Sequence, residues 1–380
     1  MRVYNGRLIT IENGTFPCGY VDFEEGKITA FGPMETAPAY DGPVLDAQGG
    51  WIMPGLIDAH SHIAICEEAS GGVMGNDCNE IANVPATPEM RAIDGVNPWD
   101  PSIKTSREAG VTTVAVCPGS ANVIGGQIAA VKLAGESVEE MAIKPCAAIK
   151  MALGENPKRT YGVNKDLSPK TRMATAAIIR RYLTNAQVYA EKKAAGEDVW
   201  DPQLEALLPL LRREIPLHIH AQQADDLFTA MQIARNFNLR YSIVHAADAD
   251  RMLKYMAAED SIPIFGPYAC WFSQHEMMNL SIATAGRMTA AGIEIAITTD
   301  HDVTPLWLLT SFAGLAVREG MPEDAAFRAI TINGARAMGV DDRVGSIAVG
   351  KDADIVIFDR HPFEYLTKTT AVFINGKRYK

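Results

Sequence analysis

Two histidines one residue apart, in the stretch GLIDAHSHI at residues 55–63, are the first groups in this sequence that could do chemistry. If the stretch is a β-strand, His60 and His62 point to the same side, because successive side chains of a strand alternate between its faces. Two imidazoles on one face can bind a divalent metal ion. Such a pair also occurs as surface polar groups or as hydrogen-bonded core residues, so a metal site requires further ligands from elsewhere in the chain.

Further ionisable groups lie at or near the ends of later apolar runs of the sequence. They are Lys150 in CAAIKMAL, His218 and His220 in PLHIHA, His245 in SIVHA and Asp300 in EIAITTD. Imidazoles and a carboxylate that converge from several strands suit zinc, and they also suit manganese, iron or cobalt. The alternative role for Asp300 is to cap the helix predicted after it.

Lys150 is the unusual member of this group. A protonated ammonium cannot bind a metal, but a lysine carbamylated by carbon dioxide carries a carboxylate that can bridge two ions. The alternative for Lys150 is a substrate-binding cation, or a lysine at a strand end whose ammonium reaches solvent.

Eight short apolar runs, with helical patterns between several of them, must position these groups. The runs are WIMPGLIDAH, TTVAVCP, IAAVKL, CAAIKMAL, PLHIHA, RYSIVHA, PIFGPY and EIAITTD. Near-continuous apolar strands are typical of a parallel sheet that is covered on both faces. The pattern predicts an α/β fold, a (β/α)8 TIM barrel, whose active site lies at the carboxyl ends of the strands.

The two ends of the chain resemble each other in pattern. Residues 1–50 and 345–380 both contain short β-type runs separated by Asn-Gly or Glu-Gly turns. We therefore predict that they pair as one composite β-sandwich domain. The barrel is expected to span residues 51–344.

Composition excludes several classes of function. The formal net charge is -11, and no long basic run is present, so nucleic acid is an unsuitable partner. No apolar run is long enough to span a bilayer, and the first residues lack the pattern of a signal peptide. The six cysteines are scattered without a C-x-x-C pair, which indicates reduced thiols, a cytoplasmic location and no structural zinc knuckle.

Several longer stretches resemble the amidohydrolase superfamily of metal-dependent hydrolases, and within it the proteins related to imidazolonepropionase. PGLIDAHSHI and GSIAVGKDADIVIFD are similar to superfamily motifs, and PGSANVIGGQ and KMALGENPKR to motifs of the subgroup. The resemblance implies a barrel beside a β-sandwich. It also implies ligand roles, namely His60, His62 and Asp300 on a first metal, His220 and His245 on a second, and carbamylated Lys150 as the bridge between them.

The resemblance favours His220 over His218 as the ligand of the fifth strand. HAQQADDL, which begins at His220, matches the family's spacing from the ligand to the next helix. His218 would then be a core residue or a group behind the ligands. Because the two histidines share one face of the strand, alternation alone leaves either of them possible.

Lys150 is also a departure from imidazolonepropionase, which lacks a lysine on the fourth strand. It places the chain nearer the two-metal enzymes that resemble prolidase and Xaa-Arg dipeptidases. The expected cofactor is a pair of zinc ions, with manganese, iron or cobalt as alternatives.

The reaction implied is hydrolysis of a C–N amide bond in a dipeptide-like, N-acyl amino-acid or cyclic amide substrate. Two ions would share the attacking hydroxide, and Asp300, with His245 and His301 beside it, would take up its proton and pass it to the leaving amine. The alternatives are a single-metal aminohydrolase (deaminase), a lactonase or a non-catalytic assembly protein of the same fold.

Substrate contacts are expected from residues that follow the strands. Candidates are Glu155, Asn156 and Arg159, which follow Lys150 and could bind a carboxylate or an amide, together with His218 and with His275 in WFSQHEMMNL. The long segment at residues 64–106, with ASGGVMGN and NVPATPEM, is typical of a lid or an oligomer contact. The family resemblance implies a homo-oligomer, a dimer or larger.

Overall fold

The computed structural model describes residues 1–68 and 76–380, and it builds two large sheets from the apolar runs of the sequence. In the predicted lid, residues 69–75 of the stretch ASGGVMGN lie outside the described residues, and only its last residue, Asn76, is described. Within the described ranges the strands are β1 (Arg2–Ile9), β2 (Thr15–Glu24), β3 (Lys27–Pro33), β4 (Val44–Asp46), β5 (Trp51–Pro54), β6 (Leu56–Ser61), β7 (Val111–Val116), β8 (Ile124–Lys132), β9 (Ala142–Ala152), β10 (Leu217–Ala221), β11 (Tyr241–His245), β12 (Ile264–Phe265), β13 (Ala296–Ile297), β14 (Ile355–Phe358), β15 (Thr369–Ile374) and β16 (Lys377–Arg378).

Helices occupy most of the connections between the strands of the second sheet. They are α1 (Pro101–Glu108), α2 (Val138–Met141), α3 (Glu155–Pro157), α4 (Arg172–Ala194), α5 (Pro202–Leu211), α6 (Ala224–Asn236), α7 (Ala249–Met256), α8 (Thr284–Ala290), α9 (Leu309–Arg318), α10 (Glu323–Ala329) and α11 (Ile332–Met338). Helix α1 shows why they begin where they do, since Asp100 accepts the amide of Ser102 and Pro101 follows it. Over residues 1–68 and 76–380, none of the helices has the length and apolarity needed to cross a membrane.

The eight strands from β6 to β13 form the predicted barrel, in the order in which they occur along the chain. Each of the eight apolar runs supplies one of these strands. The two outermost strands meet through hydrogen bonds: the hydroxyl of Thr298, just after β13, donates to the carbonyl of His60 at 2.6 Å. The sheet is therefore a nearly closed barrel, and the predicted fold class is confirmed.

Strand β8 departs from the all-parallel sheet that the sequence predicts. It pairs antiparallel with both β7 and β9, whereas the other neighbouring pairs in the barrel are parallel. Residues 117–123 and 133–141 flank β8, and each is shorter than the roughly dozen residues that a parallel crossover needs. The reversed direction of β8 is thus a consequence of short connections.

Small apolar side chains and helix α11 fill the amino-terminal part of the barrel interior. Ala59, Ala115, Ala130 and Ala148 are fully buried there and pack in one cluster with Met338 of α11. Because this half of the interior is packed mainly with apolar groups, the ligand candidates of the strands lie in the carboxyl-terminal half.

The two ends of the chain share the other sheet, whose strand order is β16-β15-β14-β5-β1-β2-β3, with β4 beside β1. Strand β5 pairs with β1 and β14, so Trp51–Pro54 belongs to this sheet. The sequence placed the boundary at residue 51, but Pro54 and Gly55 divide the first run between the two sheets. That the two ends form one composite domain stays a prediction. Its border with the barrel moves from residue 51 to Pro54 and Gly55.

A buried lysine connects the barrel to the sheet of the chain ends. Lys132, the last residue of β8, has a side chain only 2% exposed. Its Nζ lies 2.7 Å from a carboxylate oxygen of Asp352 and 3.0 Å from one of Asp354, and it also donates to Asn375. One cation thus bonds three residues around β14 and β15.

The described part of residues 64–106 runs along the mouth of the barrel beside β8. NVPATPEM follows the edge of that strand, since the amide of Thr87 donates to Ile124 at 2.9 Å and the amide of Gln127 to Met90 at 2.7 Å. The segment therefore forms part of the wall on the carboxyl side of the strands.

Candidate metal centre

Ionisable side chains from five strands or strand ends converge at the carboxyl mouth of the barrel. The ligand candidates are His60 and His62 at the end of β6, Lys150 in β9, His220 in β10, His245 at the end of β11 and Asp300 shortly after β13. All six are buried, with at most 8% of their surface exposed. The structure brings together every ligand candidate that the sequence predicts.

Asp300 lies close to both His60 and His62 at the end of β6. Its Oδ1 is 3.2 Å from Nε2 of His60 and 3.4 Å from Nε2 of His62. The carboxylate is therefore directed into the cluster, while Pro305 occupies the N-cap position of the short helix that follows. This geometry fits the ligand role of Asp300. The alternative role, capping of the helix that follows, does not fit because Pro305 occupies the cap position.

His220 and His245 form the other side of the cluster. Their ring centroids lie 4.5 Å apart, and the His245 ring lies 5.2 Å from that of His60. Nδ1 of His245 is 2.7 Å from the carbonyl oxygen of Gly266, and Nδ1 of His62 is 2.7 Å from that of Cys117. Since a carbonyl only accepts, both Nδ1 atoms carry a proton, and Nε2 is the ring nitrogen left to face the cluster.

Lys150 closes the cluster from below. Its side chain is completely buried, and its Nζ lies 3.3 Å from Nε2 of His60. Burial lowers the pKa of the amine below its usual value. A buried lysine with a lowered pKa favours the neutral amine, the form that reacts with carbon dioxide.

The electrostatics of the cluster suit a cation. Burial lowers the pKa of His220 and His245 to about 3 and that of His60 well below its usual value, so these rings are neutral at pH 7. Burial opposes charge on Asp300 as well, but the surrounding imidazoles hold its pKa well below the usual range. The same carboxylate outweighs burial at His62 and raises the pKa of that ring.

The donor atoms present fit a divalent metal ion. Ligand atoms of His60, His245 and Asp300 all lie within 4.8 Å of one another. Nδ1 of His220 and Oδ1 of Asp300 are buried without a hydrogen-bond partner. Neutral imidazoles beside a carboxylate are the donor set of zinc and related ions, and such buried orphan atoms are costly unless an ion or water satisfies them.

Asp58 is a residue of the site that our reading of the sequence missed. Its carboxylate accepts the amide of His60 at 3.0 Å and the amide and hydroxyl of Thr299 at 2.9 and 3.2 Å. Burial raises its pKa to about 7. Asp58 thus joins β6 to the segment that carries Asp300, and its position two residues before His60 was the signal that could have identified it.

The other histidines named from the sequence lie outside the cluster. His218 is completely buried, and its Nε2 lies 2.9 Å from the carbonyl oxygen of Ala337 in α11, deep in the barrel. This position does not fit a substrate contact. His301 is also buried; its Nδ1 accepts the amide of Leu306 at 3.3 Å, and its carbonyl accepts the amide of His62.

His275 is exposed, and its neighbour Glu276 enters the site instead. Glu276 is 2% exposed, with Oε1 3.2 Å from Nε2 of His220 and Oε2 2.8 Å from the amide nitrogen of Glu155. The residue belongs to the short helix His275–Met277 after β12. Loop residues lack a periodic pattern, so only its proximity to His275 in the sequence pointed toward it.

A cavity of about 280 Å³ opens above His62, His220, His245 and Asp300. Amide and hydroxyl side chains dominate the remaining wall, among them Asn76, Asn79, Ser120, Asn156, Gln222 and Gln274. Arg159 also lines the cavity; its guanidinium donates to Oδ1 of Asn156 at 3.0 Å. Glu155 lies beside it, with 3.8 Å between its Oε1 and the guanidinium.

An eight-stranded α/β barrel with buried histidines and an aspartate at its carboxyl mouth is the architecture of a metal-dependent hydrolase. The chain belongs to the amidohydrolase family, whose family model matches residues 51–379. The predicted family is therefore confirmed, and the chain is a hydrolase of the amidohydrolase superfamily. The roles of the individual site residues stay predictions.

Three similar proteins illustrate this relationship. A crystal structure of an amidohydrolase from Thermotoga maritima is 36% identical, with a TM-score of 0.94 over 99% of this chain and 98% of that one. Imidazolonepropionase from Sphingopyxis alaskensis is 25% identical over 93% of this chain and 90% of its own length. Amidohydrolase tasK from Hapsidospora irregularis is 28% identical over 94% of this chain, which spans only 39% of that protein.

Proposed function

We propose that the protein is a metal-dependent amide hydrolase that cleaves a C–N bond in a small substrate. The observation that carries the proposal is the convergence of four buried imidazoles, one carboxylate and one buried lysine at the carboxyl mouth of the barrel. A structural core has no use for so many ionisable groups in one place, because each of them costs free energy to bury.

The residues that would hold the metal are His60, His62, Asp300, His220 and His245, with Lys150 beside His60. A divalent ion held there would acidify a water molecule and polarise the substrate carbonyl. Asp300 is ionised at neutral pH and borders the cavity, so its carboxylate can take up a proton and deliver it to the leaving amine.

Carbamylation of Lys150 is part of the proposal. The amine is fully buried, its pKa is lowered, and it lies beside His60. Conversion of this amine into a carbamate would supply a second anion and allow two ions to be held. An unmodified, neutral lysine would supply no anion for a second ion.

The polar wall of the cavity favours a polar amide substrate with a carboxylate. Arg159 can pair with a carboxylate, while Gln222, whose Oε1 has no hydrogen-bond partner, offers an amide group to the substrate backbone. Dipeptide-like, N-acyl amino-acid and cyclic amide substrates share these features.

The test is the metal content of protein purified without chelator, measured by elemental mass spectrometry together with activity on dipeptide and N-acyl amino-acid libraries. We expect about two ions per chain and a carbamate carbon signal by NMR after growth with ¹³C-bicarbonate. Lys150→Met should lose that signal and metal, whereas Lys144→Met, on the same strand but outside the cluster, should retain both. Protein that refuses added zinc and manganese would contradict the proposal.

A single-metal aminohydrolase is the second candidate. Among the described residues, only His60, His245 and Asp300 have ligand atoms close enough together to bind one ion. About one ion per chain, no carbamate signal and release of ammonia from amino-substituted rings would favour it over the two-metal amide hydrolase. A lactonase, or an assembly protein that binds metal without turnover on any amide, would fail both activity tests.

A further inference from the structure

Glu276 is a buried carboxylate on a loop that reaches into the metal centre from above. Glu276 is the middle residue of the short helix His275–Met277, and it is buried together with Met277 while His275 faces solvent. A carboxylate in this position loses its hydration, so it is tolerated only if protein groups replace the water.

Both oxygens of Glu276 have such a replacement. Oε2 accepts the amide of Glu155 at 2.8 Å, which connects the loop to the first residue of α3. Oε1 lies 3.2 Å from Nε2 of His220. Because an ionised carboxylate can only accept hydrogen bonds, the proton of this contact belongs to Nε2 of His220.

This contact determines which nitrogen of His220 is free. A neutral imidazole carries one proton, and with that proton on Nε2 the lone pair resides on Nδ1. Nδ1 of His220 is buried and has no hydrogen-bond partner in the structure. The His245 ring lies 4.5 Å away, centroid to centroid, so the two rings border the same space.

His220 differs from the other two oriented histidines of the cluster in the charge of its partner. Carbonyl oxygens of Cys117 and Gly266 orient His62 and His245, each through Nδ1. The partner of His220 is a carboxylate, and it contacts the opposite ring nitrogen. A carboxylate behind an imidazole raises the basicity of the nitrogen in front and so strengthens a bond to a cation.

We infer that Glu276 is a positioning residue, which fixes His220 in the Nε2-H tautomer and directs Nδ1 to a divalent metal ion. The inference rests on the proposed function, because it needs the ion that the cluster would hold. It adds that the loop after β12 determines how firmly the site retains its ion.

Zinc affinity of the full-length protein tests the inference, measured by competition with a chromophoric chelator. Glu276→Ala should weaken zinc binding by about 10- to 100-fold, and Glu276→Gln, which retains an acceptor without the charge, should lose less. Asp22→Asn is the matched control, since Asp22 is also a buried carboxylate but pairs with Arg2 in the sheet of the chain ends. Its zinc affinity should stay within about threefold of the wild type.

A second measurement separates a positioning role from a purely structural one. Long-range ¹H–¹⁵N NMR of the metal-free protein reports the tautomer of His220, which should be Nε2-H in the wild type and Glu276→Gln and should change in Glu276→Ala. Unchanged zinc affinity and tautomer in Glu276→Ala would overturn the inference alone. An equal loss in Asp22→Asn would overturn it too, and a wild type that binds no metal would overturn it together with the proposed function.

Discussion

His218 and His220 show how depth along a strand separates residues that share a face. Both point into the barrel from β10, but His218 pairs in register with Lys150 and bonds to α11, whereas His220 lies one step nearer the mouth and contacts Glu276. The alternation of side chains along a strand determines which face a residue occupies, but not how deep in the barrel it lies. Sequence alone therefore leaves two candidates where geometry separates them.

Substitution of the two histidines should have opposite consequences. His220→Asn should lose zinc binding by tenfold or more (about 1.4 kcal/mol or more of binding free energy) with a small change in stability. His218→Asn should lower the free energy of unfolding by about 1–3 kcal/mol because it breaks a buried hydrogen bond, and should retain zinc. Zinc titration and urea unfolding of both variants measure this, and a His218→Asn variant that loses zinc at full stability would reverse the assignment.

Glycine at the start of α3 controls the space available to the loop after β12. Gly154 has a φ of +78°, and a Cβ there would lie 2.5 Å from Oε2 of Glu276. A side chain at this position would therefore meet two obstacles, a strained backbone and a displaced carboxylate.

Gly154→Ala should cost about 1–2 kcal/mol of stability and also weaken zinc binding, because it moves Glu276 away from His220. Gly196→Ala is the matched control: Gly196 has a φ of +80° with no atom within 4 Å of the added Cβ. It should show the stability cost alone. Thermal unfolding and zinc titration distinguish these outcomes, and equal zinc affinity in both variants would contradict the expectation.

The existence of the barrel strands was predictable, but their directions and exact limits were less so. Near-continuous apolar runs identify eight strands because both faces of a barrel strand are buried. The apolar pattern of β8 does not encode its direction. The usable signal was the length of the connection before it, because residues 117–123 are too few for a parallel crossover. The Pro54-Gly55 pair was likewise the sign that the first run contains two strands.

The position of Glu276 was not predictable in the same way. The catalytic mouth is assembled from strand ends, which have a pattern, and from loops, which have none. A buried carboxylate within WFSQHEMMNL becomes recognisable only when the loop is folded over His220.

At the scale of the whole molecule, Lys132 holds the barrel and the sheet of the chain ends together. Lys132→Met would leave Asp352 and Asp354 as buried carboxylates without this partner, so we expect a loss of about 3–5 kcal/mol in the free energy of unfolding. Lys27→Met removes a half-exposed partner of the same Asp352 and should cost about 1 kcal/mol or less. Urea unfolding of the two variants compares them; equal losses would indicate that burial of the lysine does not matter.

The same cluster predicts a dependence of stability on pH. Burial opposes charge on Asp352, but hydrogen bonds from Lys132 and Lys27 outweigh it and lower the pKa of this carboxyl. With its folded pKa below its unfolded pKa, Asp352 contributes stability that is complete above about pH 4 and is lost as the pH falls through the folded pKa. The difference in the free energy of unfolding between wild type and Asp352→Asn should therefore be larger at about pH 6 than at about pH 3. Urea unfolding at both pH values measures it, and equal differences would contradict this expectation.

The pairing of β5 with β14 has a consequence for how the chain is made. Pro54, the last residue of β5, leaves the ribosome about 300 residues before Ile355, its partner in β14, an interval of roughly 15–60 s at ordinary rates of translation. Throughout that interval the nascent chain exposes one edge of β5 with unpaired amides and carbonyls, and exposed edges invite pairing with other chains. The edge of β5 thus depends on residues that are synthesised much later, and we expect the nascent chain to need protection of this edge until β14 has emerged.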